Sequence, residues 1–91
     1  MEIFIFHWIK VIIVDMKERV LEILKEINED IVDYDGDNLL TDGIIDSLSV
    51  IDLVAELSDA FDIDITAKYI VEENFKSVDA IISLVEQLMN D

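Results

Sequence analysis

Asp46-Ser47-Leu48 is the place in this chain where chemistry could happen. The run reads Asp42-Gly43-Ile44-Ile45-Asp46-Ser47-Leu48-Ser49-Val50. A serine here stands at the mouth of an amphipathic helix, beside an acidic loop. No histidine or cysteine lies near enough in sequence to turn it into a catalytic nucleophile. Whatever reaction involves Ser47 must therefore draw its catalysis from another protein. A second role is structural. Serine is a favoured helix N-cap, its hydroxyl accepting a backbone N–H two or three residues on. Asp46 could cap equally well. Asp46, Ser47 and Ser49 together give three capping-type side chains where one suffices. Ile44, Ile45 and Leu48 surround the serine with apolar groups expected to be exposed or half-exposed, which capping does not require.

The elements that would position these residues follow from hydrophobic periodicity. A first helix is expected from about Lys17 to Glu29, with Val20, Leu24, Ile27 and Ile31 on one face. A long loop, about Asp30 to Asp46, carries Asp33, Asp35, Asp37, Asn38 and Asp42, with Gly36 and Gly43 as turn residues. Leu39, Leu40, Ile44 and Ile45 are expected to pin it to the core. The second helix runs from about Ser47 to Phe61, with Val50, Leu53, Val54, Leu57 and Phe61 inward. Asp52, Glu56 and Asp59 fall on the other side, with Ile51 and Ala55 between the faces. A short helical turn is expected near Thr66 to Val71, with Thr66 as cap. The last helix starts at a Ser77 cap and runs to about Asn90, burying Val78, Ile81, Ile82, Val85 and Leu88 or Met89. The pattern predicts an all-α fold: a small four-helix bundle of three longer helices and one short one.

Composition bounds the function. The 91 residues hold 22 Asp and Glu against 6 Lys and Arg, for a formal net charge of −16. Such a field repels nucleic-acid phosphates and anionic membrane surfaces, and it steers basic protein partners inward. Hydrophobic residues make up 53%, enough to build a core, so the chain is not an acidic disordered one. There is no cysteine, hence no disulfide and no thiolate metal site. A calcium loop starting at Asp33 would need Gly at its sixth position and Glu at its twelfth. Those positions hold Asn38 and Ile44, so no metal site is expected.

Residues 1–15 differ from the rest. Eleven of the fourteen residues in Met1–Val14 are apolar. As a helix they would span roughly 21 Å, short of the ~30 Å bilayer core, so no stable membrane insertion is expected. A secretory cleavage site is absent. The segment reads as an apolar N-terminal extension preceding a domain at 16–91. An upstream extension of the reading frame, a segment packed on the domain or on a second copy, and a membrane-surface anchor are the readings open to it. His7 and Trp8 within it are read as incidental.

The stretch from Lys17 to Met89 resembles the acyl carrier protein family. The match is carried by Asp46-Ser47-Leu48 at the start of a helix ending in Phe61-Asp62-Ile63, and by Glu73-Asn74-Phe75-Lys76-Ser77-Val78 before the last helix. The resemblance implies a covalent 4′-phosphopantetheine on Ser47, flanked by Asp46 and Leu48. The family's acidic recognition helix corresponds to Asp52, Glu56 and Asp59, with Ile51 and Ala55 beside them. It implies a cytoplasmic, monomeric carrier that holds acyl or aminoacyl cargo as a thioester and is not itself an enzyme. Its partners would be a phosphopantetheinyl transferase and loading and acceptor enzymes with basic surfaces. Ser49 stands where fatty-acid carriers usually have an acid, and Ile44-Ile45 where they have smaller residues. The run is more similar to stand-alone D-alanyl or aminoacyl carriers and to polyketide-type carriers. An acidic helical protein-interaction module that is never modified is the alternative.

The charge excess yields a first expectation. Self-repulsion among the acids destabilises the compact state at low ionic strength. Added salt or millimolar divalent cations should raise the melting temperature, measured by circular dichroism; an unchanged transition would show that the acids are too dispersed to repel.

Overall fold

Three stripes of apolar side chains at helical spacing meet in one core. The computed structural model describes residues 16–90; the expectations for residues 1–15 lie outside that range. Helix α1, described over residues 16–27, buries Met16, Val20, Ile23 and Leu24. It stops because Asn28 is extended and caps a 3₁₀ turn, Glu29–Ile31, its side-chain oxygen accepting the Asp30 N–H. Helix α2 is Ser47–Phe61, with the boundaries its periodicity predicts. It buries Val50, Leu53 and Leu57, while Val54 and Phe61 are half-buried. Asp62 ends it in the left-handed region at φ 52, where Asp is better tolerated than bulkier residues.

The second half departs from the expected pattern in its short elements and in part of the last helix's buried face. The turn expected over Thr66–Val71 is a 3₁₀ turn, Ala67–Tyr69, and Thr66 makes no side-chain cap bond. A separate short helix follows, α3, Glu72–Phe75, contributing the buried Phe75. Four residues are too few for a periodic signal, so only Phe75 itself could have marked it. Helix α4, Val78–Met89, is capped by Ser77, whose hydroxyl accepts the Ala80 N–H at 3.0 Å. It buries Ile81, Leu84 and Val85; Leu84 was absent from the expected face, and Ile82 is only half-buried. Helices α3 and α2 both pack on α4.

The connection between α1 and α2 is held from inside. Leu39 and Ile45 are 0% and 1% exposed, with Leu40 and Ile44 half-buried. Ile45 is thus a core residue, not one of the exposed groups around Ser47. No polar side chain is buried among the described residues, so burial of apolar area is the dominant stabilising term. Within the same residues no helix is long and apolar enough to cross a membrane.

Leu53, fully buried in α2, and Ile51, 62% exposed on the same helix, give a paired test. Leu53→Ala should lower unfolding free energy by about 2–5 kcal/mol, and Ile51→Ala by no more than about 0.5 kcal/mol. Urea denaturation of both variants measures the difference.

Candidate functional site

Capping at α2 falls to Asp46. Its backbone is extended, at φ −121 and ψ −174, and its carboxylate accepts the Ser49 N–H at 2.9 Å. Its carbonyl accepts the Val50 N–H at 2.9 Å. The Ser49 amide and hydroxyl hold the Asp46 carboxyl below the usual carboxylate range. Ser47 is left as the first residue of α2, exposed, its hydroxyl without a hydrogen-bond partner among the described residues. The choice between two capping side chains therefore resolves in a way that frees the serine.

Leu48 and Ile51 are 73% and 62% exposed. Asp52, Ala55, Glu56 and Asp59 are also exposed. At positions 48, 51, 52, 55, 56 and 59 they advance by three and four residues, so they form one stripe on the outer face of α2. The stripe begins apolar beside Ser47 and ends acidic. Val50, Leu53 and Leu57 face the core from the same helix, so α2 is apolar on one side and mixed on the other.

Ser47 also lines a groove of about 350 Å³ with Leu40, Val50, Ile51, Ile70, Val71 and Phe75. Glu72 is the one charged residue in its lining. The sequence pattern did not associate Ile70, Val71, Glu72 or Phe75 with Ser47; they reach it through the packing of α3 and the link that precedes it, which no local period encodes. A larger depression of about 470 Å³, lined by Met16, Arg19, Phe61 and Met89 among others, lies by the opposite end of α2. It holds no nucleophile. Among the described residues no cluster of His, Cys, Asp or Glu could hold a metal ion.

This arrangement suits covalent attachment. The serine hydroxyl is exposed and unbonded, and the groove beside it offers an apolar wall to a flexible chain. The helix N-terminus supplies partial positive charge close to where a phosphodiester would sit.

The sequence profile of the phosphopantetheine attachment-site family matches residues 15–85. The chain belongs to that family. Relatives include a D-alanyl carrier protein from Lactobacillus acidophilus, 31% identical over 78 residues, which cover 85% of this chain and 99% of the relative. A D-alanyl carrier protein from Streptococcus suis is 32% identical over 77 residues, 84% of this chain and 98% of the relative. No solved structure gives a significant match. The chain is accordingly a carrier with a covalent 4′-phosphopantetheine and is not an enzyme. It exchanges cargo with loading and acceptor enzymes after modification by a phosphopantetheinyl transferase. The prosthetic group contributes a terminal thiol that carries an acid as its thioester; the chain itself has no thiol.

The cap can be tested by pH. Asp46 has its folded-state pKa lowered, so its contribution to stability is present above the ordinary carboxylate value of 3.8. That contribution is lost as pH falls through the lower folded-state value. Asp46→Ala should melt below wild type at neutral pH, and the gap should narrow on strong acidification. Asp46→Asn should keep part of the cap, because its amide oxygen still accepts the Ser49 N–H.

Proposed function

We propose that Ser47 bears the phosphopantetheine arm and that the carrier's cargo is an amino acid of the D-alanine type. The observation carrying the first part is the division of labour at the start of α2: Asp46 caps, and the Ser47 hydroxyl stays exposed. Ser47 has no described neighbour within hydrogen-bond reach to take its proton. The nearest carboxylate, Asp46, is committed to Ser49 and is a weak base. Activation of the hydroxyl therefore falls to the transferase, which fits a carrier that contributes only the acceptor atom.

The second part is supported by the near full-length likeness to D-alanyl carrier proteins and by the size of the groove. A small aminoacyl group needs no deep interior cavity, and the groove beside Ser47 is open. The outer stripe of α2 fits the docking of loading and acceptor enzymes. Leu48 and Ile51 supply a small apolar contact, and Asp52, Glu56 and Asp59 steer basic surfaces toward it. Few apolar groups and rim charges give fast encounter with weak retention, as repeated handover requires. The reading places the monomeric chain in the cytoplasm, where coenzyme A for the modification is found.

Incubating the full chain with coenzyme A, Mg²⁺ and a broad-specificity phosphopantetheinyl transferase should add one arm by intact mass. Ser47→Ala should add none. A gain that persists in Ser47→Ala overturns the assignment; no gain in wild type leaves an acidic interaction module. With the modified protein, a D-alanine-activating ligase and ATP should form a hydroxylamine-sensitive adduct faster than an acyl-activating ligase with a fatty acid does. The reverse order would overturn the cargo reading.

A further inference from the structure

The loop ahead of α2 contains a hydrogen-bonded unit built on Tyr34. Its phenol donates to Asp42 Oδ2 at 2.5 Å and accepts the Asn38 N–H at 2.7 Å. Asn38 in turn accepts from the Leu40 N–H at 2.9 Å and the Thr41 N–H at 3.2 Å through its side-chain oxygen. Gly36 lies against the same contact. A Cβ at that position would come within 2.5 Å of the Tyr34 hydroxyl and 2.6 Å of Asp42 Oδ2. Residues 34, 36 and 42 are therefore fitted to one another: the phenol meets the carboxylate, and only glycine leaves room for both. Partial burial and then the Asp42 carboxylate push the phenol pKa up, so the hydroxyl keeps the proton it donates.

Asp42 begins the segment that leads into Ser47. Gly43 follows with φ +76, a conformation glycine adopts without strain. Ile44 and Ile45 then hang from the Leu39 carbonyl, and the Ile44 carbonyl accepts Asn28 Nδ2 at 2.9 Å. Asp46 caps the helix next. The inner side of this segment is secured by the core through Leu39 and Ile45. Its outer end at Asp42 is exposed; the Asp42 N–H donates to the Asn38 carbonyl at 3.0 Å and the Gly43 N–H to the Leu40 carbonyl at 3.2 Å, and the Tyr34 phenol adds the side-chain tie on that end. Loss of this bond would leave the core packing intact while loosening the approach to Ser47.

We propose that Tyr34 is a positioning residue for the modification of Ser47. Through Asp42, the phenol holds residues 42–46 in the one conformation that caps α2 with Asp46 and presents the serine to the transferase. The proposal rests on the assignment of Ser47 as the attachment residue. A carrier whose competent conformer is only partly populated binds its enzyme with an apparent affinity reduced by that fraction. Loosening the segment should therefore raise KM for the carrier and leave kcat largely unchanged.

The test uses the full-length apo chain, coenzyme A, Mg²⁺ and limiting transferase, with initial rates read by intact mass well below each variant's melting temperature. Tyr34→Phe and Asp42→Ala should each raise KM at least about fivefold, the scale of one lost hydrogen bond. Asp42→Asn keeps an acceptor oxygen and removes the charge, and it should stay within about twofold of wild type. The double variant Tyr34→Phe/Asp42→Ala should be no worse than the worse single one, as expected for two groups in one contact. In the unmodified protein, amide exchange at Ile44, Ile45 and Ser49, whose N–H groups are hydrogen-bonded, should quicken in Tyr34→Phe.

A purely stabilising role would lower the melting temperature and leave KM and these amides unchanged, which overturns the proposal. Multiplying effects in the double variant, or an Asp42→Asn as impaired as Asp42→Ala, would also overturn it. Should Tyr34→Phe fail to fold, the Asp42→Ala and Asp42→Asn pair decides by the same criteria. Failure of wild type to accept the arm removes the Ser47 assignment and this proposal together. Equal KM for wild type and Tyr34→Phe removes this proposal alone.

Discussion

The presentation of Ser47 hangs from the backbone of Leu39. Its N–H donates to the Lys76 carbonyl at 2.7 Å, and its carbonyl accepts the Ile44 and Ile45 N–H groups at 2.9 and 3.2 Å. Its side chain is fully buried. A loop that dips into a core must satisfy its backbone polar groups there, because an unpaired one costs as much as a lost hydrogen bond. Leu39 meets that constraint by tying three regions together: the loop, the α3–α4 junction and the segment leading to α2. With that knot in place, Ile45 can enter the core and Asp46 can turn outward to cap. The irregular connection is ordered by one buried residue's backbone, and two apolar side chains anchor it.

Core and charge are kept strictly apart. Among the described residues, all fifteen buried in the core are apolar, and every ionisable side chain is exposed or half-exposed. The acids therefore add little to stability and much to the external field. Helix α2 shows the consequence within fifteen residues. It holds the bundle through Val50, Leu53 and Leu57 and exposes a stripe running from Leu48 to Asp59, the proposed docking face, with no basic residue anywhere along it. A partner with basic groups meets no competing cation on that face, and the exposed apolar area is too small to hold it for long.

The parts legible in the sequence are those governed by period. Helix α2 has its predicted limits because Val50, Leu53, Leu57 and Phe61 recur at helical spacing. Helix α4 is announced by Ser77 and by Val78, Ile81 and Val85. Ser47 stood out as a free serine at a helix mouth. The illegible parts depend on contacts between residues far apart in sequence. Ile45 is buried because its amide and that of Ile44 bond to Leu39, and Asn28 reaches Ile44 across sixteen positions. The groove beside Ser47 needs Ile70 and Val71 from the link between the 3₁₀ turn and α3, and Phe75 from a helix too short to show a period. Tyr34 carried no signal, since a lone tyrosine among aspartates reads as surface until the carboxylate it meets is placed. Asp46 and Ser47 are near-equal caps by residue type. Backbone geometry decides between them, and it favours Asp46.

That decision has an electrostatic consequence for a carrier. Asp46 is held ionised by Ser49, so a fixed negative charge sits next to Ser47, the proposed attachment residue. A helix N-terminus alone would attract a phosphodiester through its partial positive charge. The neighbouring carboxylate offsets that attraction and disfavours tight docking of a phosphate against α2. Ser49 makes this balance possible: an acid at position 49 would repel Asp46 and weaken the cap, whereas the serine donates its amide to it and adds no negative charge. The cap thus achieves two ends with one carboxylate. With Ser47 as the proposed attachment residue, it would fix the base of the arm through α2 and keep the first group of the arm from adhering to the helix. A carrier needs that combination, because the anchor must be recognised in one geometry while the cargo must swing freely to the next enzyme.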